Sequence, residues 1–160
     1  MSITYLSSVI FVQDIAASRH FYEDLLGQQV DIDFGPSIGF KGGFALWQVD
    51  HAFQMIYERA PESAEQLGRR NVQLGFETAD LEAASTRLSE AGVEYVHPLR
   101  EHPWGQRVFR VYDPDGHIVE VGEPMSEVIA RLLGEGKSAE AVAKQTAMPL
   151  EMVEQVAAGQ

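Results

Sequence analysis

The sequence predicts an α+β fold made of two βαβββ modules followed by a helical extension. The first observation is an internal repeat, since the offset that takes Asp14 to Asp80 also takes Ile10 to Phe76. The second is the order of patterns in each copy: a β-rich run that ends in an acid, an amphipathic helix that ends in glycine, and further β-rich runs. The same order at a fixed offset indicates one supersecondary unit present twice.

The first module is predicted to span about residues 3–58. Its opening run, ITYLSSVIFVQDI, is rich in β-branched and aromatic residues and ends at Asp14, a residue type that caps helices. The helix AASRHFYEDLLG follows and is closed by Gly27. Three short strands, VDIDF, SIGF and FALWQ, are separated by glycine-containing turns. The next stretch, DHAFQMIYERA, favours a helix capped by Asp50 over a strand.

The second module is predicted to span about residues 71–124, after the polar linker PESAEQLGRR. It opens with the strand NVQLGFETAD and the helix LEAASTRLSEAG, and continues with the strands VEYV, RVFRVY and HIVEV. The stretch PLREHPWGQ is predicted to be a loop, and DPDG a tight turn whose acids, Asp113 and Asp115, cap its backbone. Together the two modules, residues 1–124, are expected to form a single domain.

The C-terminal extension, residues 125–160, has a different residue pattern, which is helical throughout. Three short helical patterns follow one another, SEVIARLLGEG, SAEAVAKQTA and PLEMVEQVAAG, with Ser138 as a cap. Their spacing resembles a helix-turn-helix, but the segment carries more acids than bases, which is unfavourable for reading DNA. Helices this short bury little surface alone, so packing on the sheet or across a subunit boundary is the favoured interpretation.

Composition limits the classes of protein to consider. The chain has 160 residues, enough for one full core, and a formal net charge of −12 from 24 acids and 12 bases. Such a charge repels a phosphate backbone, and the only basic run is Arg69-Arg70, so nucleic acid is not an expected partner. No apolar run is long enough to span a membrane, and no secretory signal pattern is visible at Met1. The absence of cysteine excludes disulfides and fits the cytoplasm.

Three quoted stretches resemble a known family. They are VIFVQDIAASRHFYEDLLG, its weaker repeat VQLGFETADLEAASTRLSEAG, and WGQRVFRVYDPDGHIVEVGEP. All three resemble the vicinal oxygen chelate superfamily, which includes glyoxalase I, bleomycin-resistance proteins, fosfomycin-resistance enzymes and extradiol dioxygenases. The stretch EHPWGQR joined to a helical tail is similar to a glyoxalase-like bacterial subgroup. The resemblance implies that the two modules pair into one curved, mixed sheet around a cup for a small molecule, and that the protein is a homodimer.

The resemblance also implies where metal ligands stand in the metal-dependent relatives, on the first and last strands of each module. The corresponding positions here are Ser7, Trp47, Gln73 and Glu120, and a slip of one residue would exchange Trp47 for Gln48. Only Gln73 and Glu120 can bind a metal, whereas a catalytic site usually has three protein ligands. We therefore expect no cofactor, with a divalent metal (Ni, Mn, Fe or Zn) as the alternative. That alternative needs a further ligand from His51, His97 or His102, histidines that in loops are more often solvated than metal-bound.

Without a metal, the same positions predict a binding site. Trp47 would form a flat apolar wall and Trp104 a second wall, although core or interface packing is an equal alternative for both. Gln73 and Glu120 would orient the ligand, unless Glu120 pairs with Arg110 or Arg107. Both arginines would also suit an anionic substrate, but a cross-strand salt bridge is their commoner role. The predicted ligand-binding residues are Trp47, His51, Gln73, Trp104, Arg107 and Glu120.

The expected function is therefore the binding of a small, partly aromatic molecule without a complete metal site, as bleomycin-resistance proteins sequester their ligand. One alternative is a divalent-metal-dependent lyase or dioxygenase that uses Gln73 and Glu120. Another is a ligand-responsive regulator that acts through its helical tail. No catalytic residue is assigned, because the sequence shows neither a nucleophile triad nor a phosphate-binding glycine loop.

Overall fold

The computed structural model describes residues 5–62, 67–68 and 71–159. The Arg69-Arg70 run and part of the predicted linker lie outside the described residues. The chain divides into two compact units. The first unit contains the chain up to Val72 together with Tyr112–His117, and the second contains Gln73–Val111 and the chain from Ile118 onward. Within the described ranges, no helix is both long and apolar enough to cross a bilayer.

The first unit contains the elements predicted for the first module. In chain order they are β1 (Ser8–Val12), α1 (Ile15–Arg19), a π-helical continuation of α1 (His20–Leu25), β2 (Val30–Asp33), β3 (Ser37–Phe40), β4 (Phe44–Gln48) and α2 (Val49–Tyr57). The strands form one mixed sheet in the order β1-β4-β3-β2. In this sheet β1 runs parallel to β4, and the β2-β3 and β3-β4 pairs are antiparallel.

A side-chain cap marks the start of α1, whereas α2 begins without one. Asp14 caps α1 as predicted, because its Oδ1 accepts hydrogen bonds from the backbone N–H groups of Ala16 and Ala17 at 2.9 and 3.1 Å. The helical prediction for residues 49–57 is also confirmed. The predicted cap is wrong, however, because β4 runs directly into α2 and places Asp50 inside the first turn, after Gln48.

The second unit contains the elements of the second module in the same order, except for Tyr112, the last residue of its third strand. They are β5 (Gln73–Glu77), α3 (Leu81–Glu90), β6 (Tyr95–Glu101), β7 (Arg107–Tyr112) and β8 (Ile118–Gly122). The sheet order is β5-β8-β7-β6, which matches the order of the first sheet strand for strand. Asp80 caps α3 by accepting from Ala83 N at 3.0 Å, as Asp14 caps α1. The predicted α+β fold of two βαβββ modules is therefore confirmed.

One strand is longer than the sequence predicted. The proline in the stretch that begins PLREH predicts a loop, yet β6 runs through Pro98 to Glu101. Proline is tolerated in edge strands and at bulges. Strand β6 lies at the edge of its sheet, and its register with β7 shifts between His97 and Arg100.

The side chain of Asp113 stabilises the D-P-D-G turn through hydrogen bonds. Asp113 Oδ1 accepts from the backbone N–H groups of Asp115 and His117 at 3.0 and 2.8 Å, as predicted. Its Oδ2 accepts from the hydroxyl of buried Tyr22 at 2.9 Å. Burial, and then the charge of Asp113, raise the pKa of Tyr22, so its hydroxyl remains a donor. Asp115 does not cap its own turn, because its carboxylate accepts instead from the backbone of Gln13 at 3.1 Å.

The extension forms three helices, α4 (Met125–Gly134), α5 (Ala139–Thr146) and α6 (Leu150–Ala158). They share a small hydrophobic core, made of Val128, Ile129, Leu132, Val142 and Val153. Ser138 caps α5 as predicted, accepting from Ala141 N at 3.3 Å. The prediction of a helical extension is confirmed.

Glu123 connects this extension to strand β7. Its carboxylate accepts from the backbone N–H of Arg107 at 3.0 Å and from the Nε of the same residue at 2.5 Å. Arg131 of α4 contacts the same carboxylate at 3.3 Å and donates to the carbonyl oxygen of Gly105 at 2.5 Å. Only 6% of Glu123 is exposed. The contacts favour packing of the tail on its own module.

The Glu123 contacts predict a pH dependence of stability. Burial opposes ionisation of Glu123, but hydrogen bonds from Arg107 and the charges of Arg107 and Arg131 outweigh it and lower the pKa of this carboxyl below its ordinary 4.5. Such a group stabilises the fold fully above its unfolded pKa and loses that contribution as the pH falls through its folded pKa. We expect Glu123→Gln to be less stable than wild type in urea at about pH 7, with the difference closing towards about pH 3.

Glu82→Gln is the control for this experiment. Glu82 also contacts Arg107, at 2.7 Å, but its side chain is 62% exposed. An exposed ion pair contributes little, so the control is expected to change stability only slightly at either pH. A Glu123→Gln difference that does not vary with pH would contradict the assignment.

Candidate ligand-binding site

A cleft of about 680 Å³ opens on the sheet of the first unit. Small-molecule sites commonly measure about 300–1,000 Å³, so the cleft is of suitable size. Its walls are mainly apolar, and they include several large side chains that are otherwise exposed. These are Leu6, Val9, Ile32 and Phe34, of which Leu6 is 88% and Phe34 72% exposed. Apolar surface concentrated in a concavity is typical of a binding site.

Trp47 is one wall of the cleft, and the strand alternation of β4 places it there. Leu46 is fully buried, whereas the next side chain, Trp47, is half-buried and lines the cleft. Trp47 lies opposite Phe11 of β1 and Ser37 of β3 in the sheet register. The rings of Phe11 and Trp47 meet edge to face, with centroids 6.1 Å apart. Packing against a neighbouring ring holds the indole in place.

His51 lies beside Trp47 on the first turn of α2 and also lines the cleft. The indole Nε1 of Trp47 donates a hydrogen bond to His51 Nδ1 at 2.7 Å. Ser7, which precedes β1, lines the same cleft. Two of the predicted binding residues, Trp47 and His51, are therefore brought together. The two positions implied for metal ligands in this module, Ser7 and Trp47, both line the cleft, but an indole has no lone pair to offer a metal.

The second unit contains a different polar group of residues, which we call the arginine cluster: Arg110, Gln73, Glu120, His97 and His102. The guanidinium of Arg110 lies at its centre. Its Nε donates to Gln73 Oε1 at 3.0 Å, and its Nη2 donates to the carboxylate of Glu120. Its Nη1 donates to the Nε2 atoms of His97 and His102 at 2.9 and 3.2 Å.

Both histidines of the arginine cluster act as acceptors, which requires neutral rings. His97 Nδ1 donates to the carbonyl oxygen of Pro98 at 2.8 Å, which leaves its Nε2 free to accept from Arg110. Burial and then the charge of Arg110 lower the pKa of His102. A neutral imidazole is the form that can accept a hydrogen bond from a guanidinium.

As arranged, the arginine cluster does not fit a metal ion. Gln73 and Glu120 both accept from the guanidinium of Arg110, so a positive charge already occupies the place where they converge. In the part of the chain that the structure describes, no three histidine or carboxylate side chains are grouped to hold an ion. His97 and His102, the alternative ligands, are engaged by the same guanidinium. The sequence contains a signal for the Arg110–Glu120 pair, namely the D-P-D-G turn. In the structure the backbone N–H of Asp113 donates to the carbonyl oxygen of His117 across this turn. Counting three residues back from Asp113 and three forward from His117 places Arg110 opposite Glu120.

Two other predicted residues lie near these groups in the second unit. Trp104 stacks on His102, with ring centroids 4.2 Å apart and planes 9° from parallel, and its Nε1 donates to Gln106. Arg107 forms ion pairs with Glu123 and Glu82 rather than joining the arginine cluster. That all six predicted residues line one cup stays a prediction, because Trp47 and His51 belong to one unit and the other four to the other.

The repeated βαβββ unit and the strand order of its two sheets define a class of protein, the glyoxalase/bleomycin-resistance type of fold. Residues 5–126 match the model of the glyoxalase-like domain. The chain belongs to this family, and through it to the vicinal oxygen chelate superfamily. The resemblance that the sequence suggested is confirmed.

Solved structures and curated sequences include similar proteins. A protein of unknown function from Agrobacterium tumefaciens is 42% identical, with a TM-score of 0.71, and the match covers 78% of this chain and 96% of that one. A glyoxalase/bleomycin resistance protein/dioxygenase superfamily member from Sphaerobacter thermophilus is 27% identical, with a TM-score of 0.55, over 76% of this chain and 98% of that one. An uncharacterized protein of Mycobacterium bovis is 27% identical, over 77% of this chain and 85% of its own length.

Proposed function

We propose that this protein binds a small, partly aromatic molecule in the cleft of its first unit. The observation that carries the proposal is the indole of Trp47 in the wall of an apolar cavity of about 680 Å³. An aromatic ligand stacked on such a ring gains about 0.5–1.5 kcal/mol beyond the burial of its area. A few polar groups in an apolar cleft then set the orientation of the ligand, and His51 is one of them.

We also propose that the ligand binds without the help of a metal ion, so that Gln73 and Glu120 hold none. A guanidinium that both side chains already contact weighs against the alternative, a metal-dependent lyase or dioxygenase. Stoichiometric Ni, Mn, Fe or Zn in protein purified without chelator, absent from Glu120→Ala, would overturn this part. The contacts of Arg131 with the second module support a structural tail over a regulatory one. The cytoplasmic homodimer expected from the sequence remains part of the proposal.

Tryptophan fluorescence tests the proposed cleft, because the chain has 2 tryptophans. In Trp104→Phe the remaining indole is Trp47, and titration with 2-acetylnaphthalene is expected to change its emission saturably. Phenylalanine keeps a smaller ring and loses only part of the stacking energy, so Trp47→Phe is expected to weaken the Kd by less than about tenfold, measured by calorimetry.

Trp47→Phe is also the control for the fluorescence signal, because it leaves Trp104 as the reporter. Its emission is expected to stay nearly constant over the same titration. A saturable change in Trp47→Phe, with none in Trp104→Phe, would place the binding site in the second unit and contradict the proposal.

A further inference from the structure

The hydrogen bond between Trp47 and His51 determines where the proton of the imidazole lies. An indole N–H can only donate, so His51 Nδ1, at 2.7 Å, must carry its lone pair. In the neutral ring the proton is then on Nε2. Within the described residues, His51 forms no second hydrogen bond. A residue that lines the cleft therefore has one unused N–H donor, held in place by the wall residue beside it.

The other polar side chains that line the cleft have different hydrogen-bonding roles. The hydroxyls of Ser7 and Ser37 can donate or accept, and they rotate freely to suit either partner. The carboxylate of Asp31 can only accept, and it disfavours an anionic ligand. The ammonium of Lys41 donates to Gln29 Oε1 at 3.0 Å, and its flexible stem leaves the direction of its other N–H groups unfixed. His51 is thus the lining side chain whose role as donor is set by an internal contact.

We propose that His51 selects, among flat apolar ligands, neutral molecules that carry a hydrogen-bond acceptor at one edge, such as a conjugated carbonyl oxygen or an aromatic ring nitrogen. This inference rests on the proposed function of the cleft. The ring of the ligand lies against Trp47, and its acceptor receives the Nε2–H of His51. A ligand of the same shape without an acceptor leaves that donor unpaired and loses the hydrogen bond.

A pair of ligands of nearly the same shape tests the selection. In 2-acetylnaphthalene the carbonyl oxygen is the acceptor, and in 2-isopropenylnaphthalene a methylene group takes its place. One neutral hydrogen bond contributes about 0.5–1.5 kcal/mol, so wild type is expected to bind the ketone about three- to tenfold more tightly. In His51→Phe the ratio of the two Kd values is expected to fall to about one. His51→Asn, whose amide can donate, is expected to restore part of the preference.

His20→Gln is the matched control, because His20 is a solvent-exposed histidine of the same unit, paired with Asp24 outside the cleft. It is expected to keep the wild-type ratio. The proton on His51 can be observed separately by nitrogen NMR of the imidazole, without a ligand. The Nε2–H form is expected in wild type, and its share is expected to decrease in Trp47→Phe.

The outcomes separate the inference from the function on which it rests. Equal binding of both compounds by wild type, or a preference that persists in His51→Phe, would overturn the selection by His51 and leave the cleft as a binding site. If neither compound alters the emission of Trp47 in Trp104→Phe, the proposed function fails, and the selection fails with it. A His51 ring protonated on Nδ1 in wild type would overturn the selection whatever binds.

Discussion

Replacing Asp113 with alanine is expected to destabilise the protein by about 3–5 kcal/mol. The side chain of Asp113 is fully buried, and it accepts from the backbones of Asp115 and His117, from the hydroxyl of Tyr22 and from the ring of His117. Alanine would remove this shared acceptor, at a cost of about 1–3 kcal/mol for each donor that stays buried and unsatisfied. Urea unfolding followed by circular dichroism measures the loss.

Two further variants separate the parts of this loss. Tyr22→Phe removes one donor together with its hydrogen bond, so it is expected to cost about 1 kcal/mol and to leave the turn intact. Asp113→Asn retains an amide oxygen for the two backbone donors. Its loss of stability is expected to lie between those of Tyr22→Phe and Asp113→Ala. A loss in Asp113→Ala no larger than in Tyr22→Phe would show that the carboxylate does not hold the turn.

The second large effect is expected at Arg110. Its side chain is 18% exposed and that of its partner Glu120 is 21% exposed, so the pair is largely removed from water. Arg110→Met would leave Glu120 without its counter-ion and Gln73 without its donor, and we expect a loss of about 2–4 kcal/mol. Glu120→Gln in the Arg110→Met background should recover part of this loss, because no uncompensated charge then remains.

Arg19→Met is the control for charge removal at an exposed site. Arg19 also contacts two carboxylates, those of Glu23 and Asp33, but its side chain is 41% exposed. Water screens such a pair, and its removal is expected to change stability far less than Arg110→Met. Similar losses in the two variants, or additive losses for Arg110→Met and Glu120→Gln in a double-mutant cycle, would contradict a coupled arginine cluster.

Individual residues of the candidate site could be named from the sequence, but their grouping into one site stays a prediction. Trp47 and Glu120 are singled out by the resemblance to the vicinal oxygen chelate superfamily, as the positions that correspond to metal ligands in its metal-dependent members. The pairing of Glu120 with Arg110 follows from the tight turn, whose closing bond between Asp113 and His117 sets the register of the hairpin. From the sequence alone this pairing is an alternative to the orientation of a ligand by Glu120, because the turn is a local pattern whereas the partner of a strand residue depends on the register.

The remaining site contacts could not be predicted from spacing. His97 and His102 meet Arg110 because β6 continues through Pro98 with a shifted register, and bulges are not visible in a hydrophobic pattern. Trp47 meets His51 because α2 begins directly after β4, without the turn that a cap at Asp50 would have implied. Small changes of boundary at these two junctions decide which polar groups face each other.

The sequence by itself determined the architecture of this protein: two copies of one module, the helix caps at Asp14 and Asp80, the D-P-D-G turn and a helical tail. These features depend on interactions between residues that are close in the chain, so their patterns survive in the sequence. Only the tertiary structure decided the chemistry, by placing the guanidinium of Arg110 between Gln73 and Glu120 and the indole of Trp47 against His51. Both depend on strand register and on where helices begin, and a shift of one residue would turn the same side chains to the opposite face.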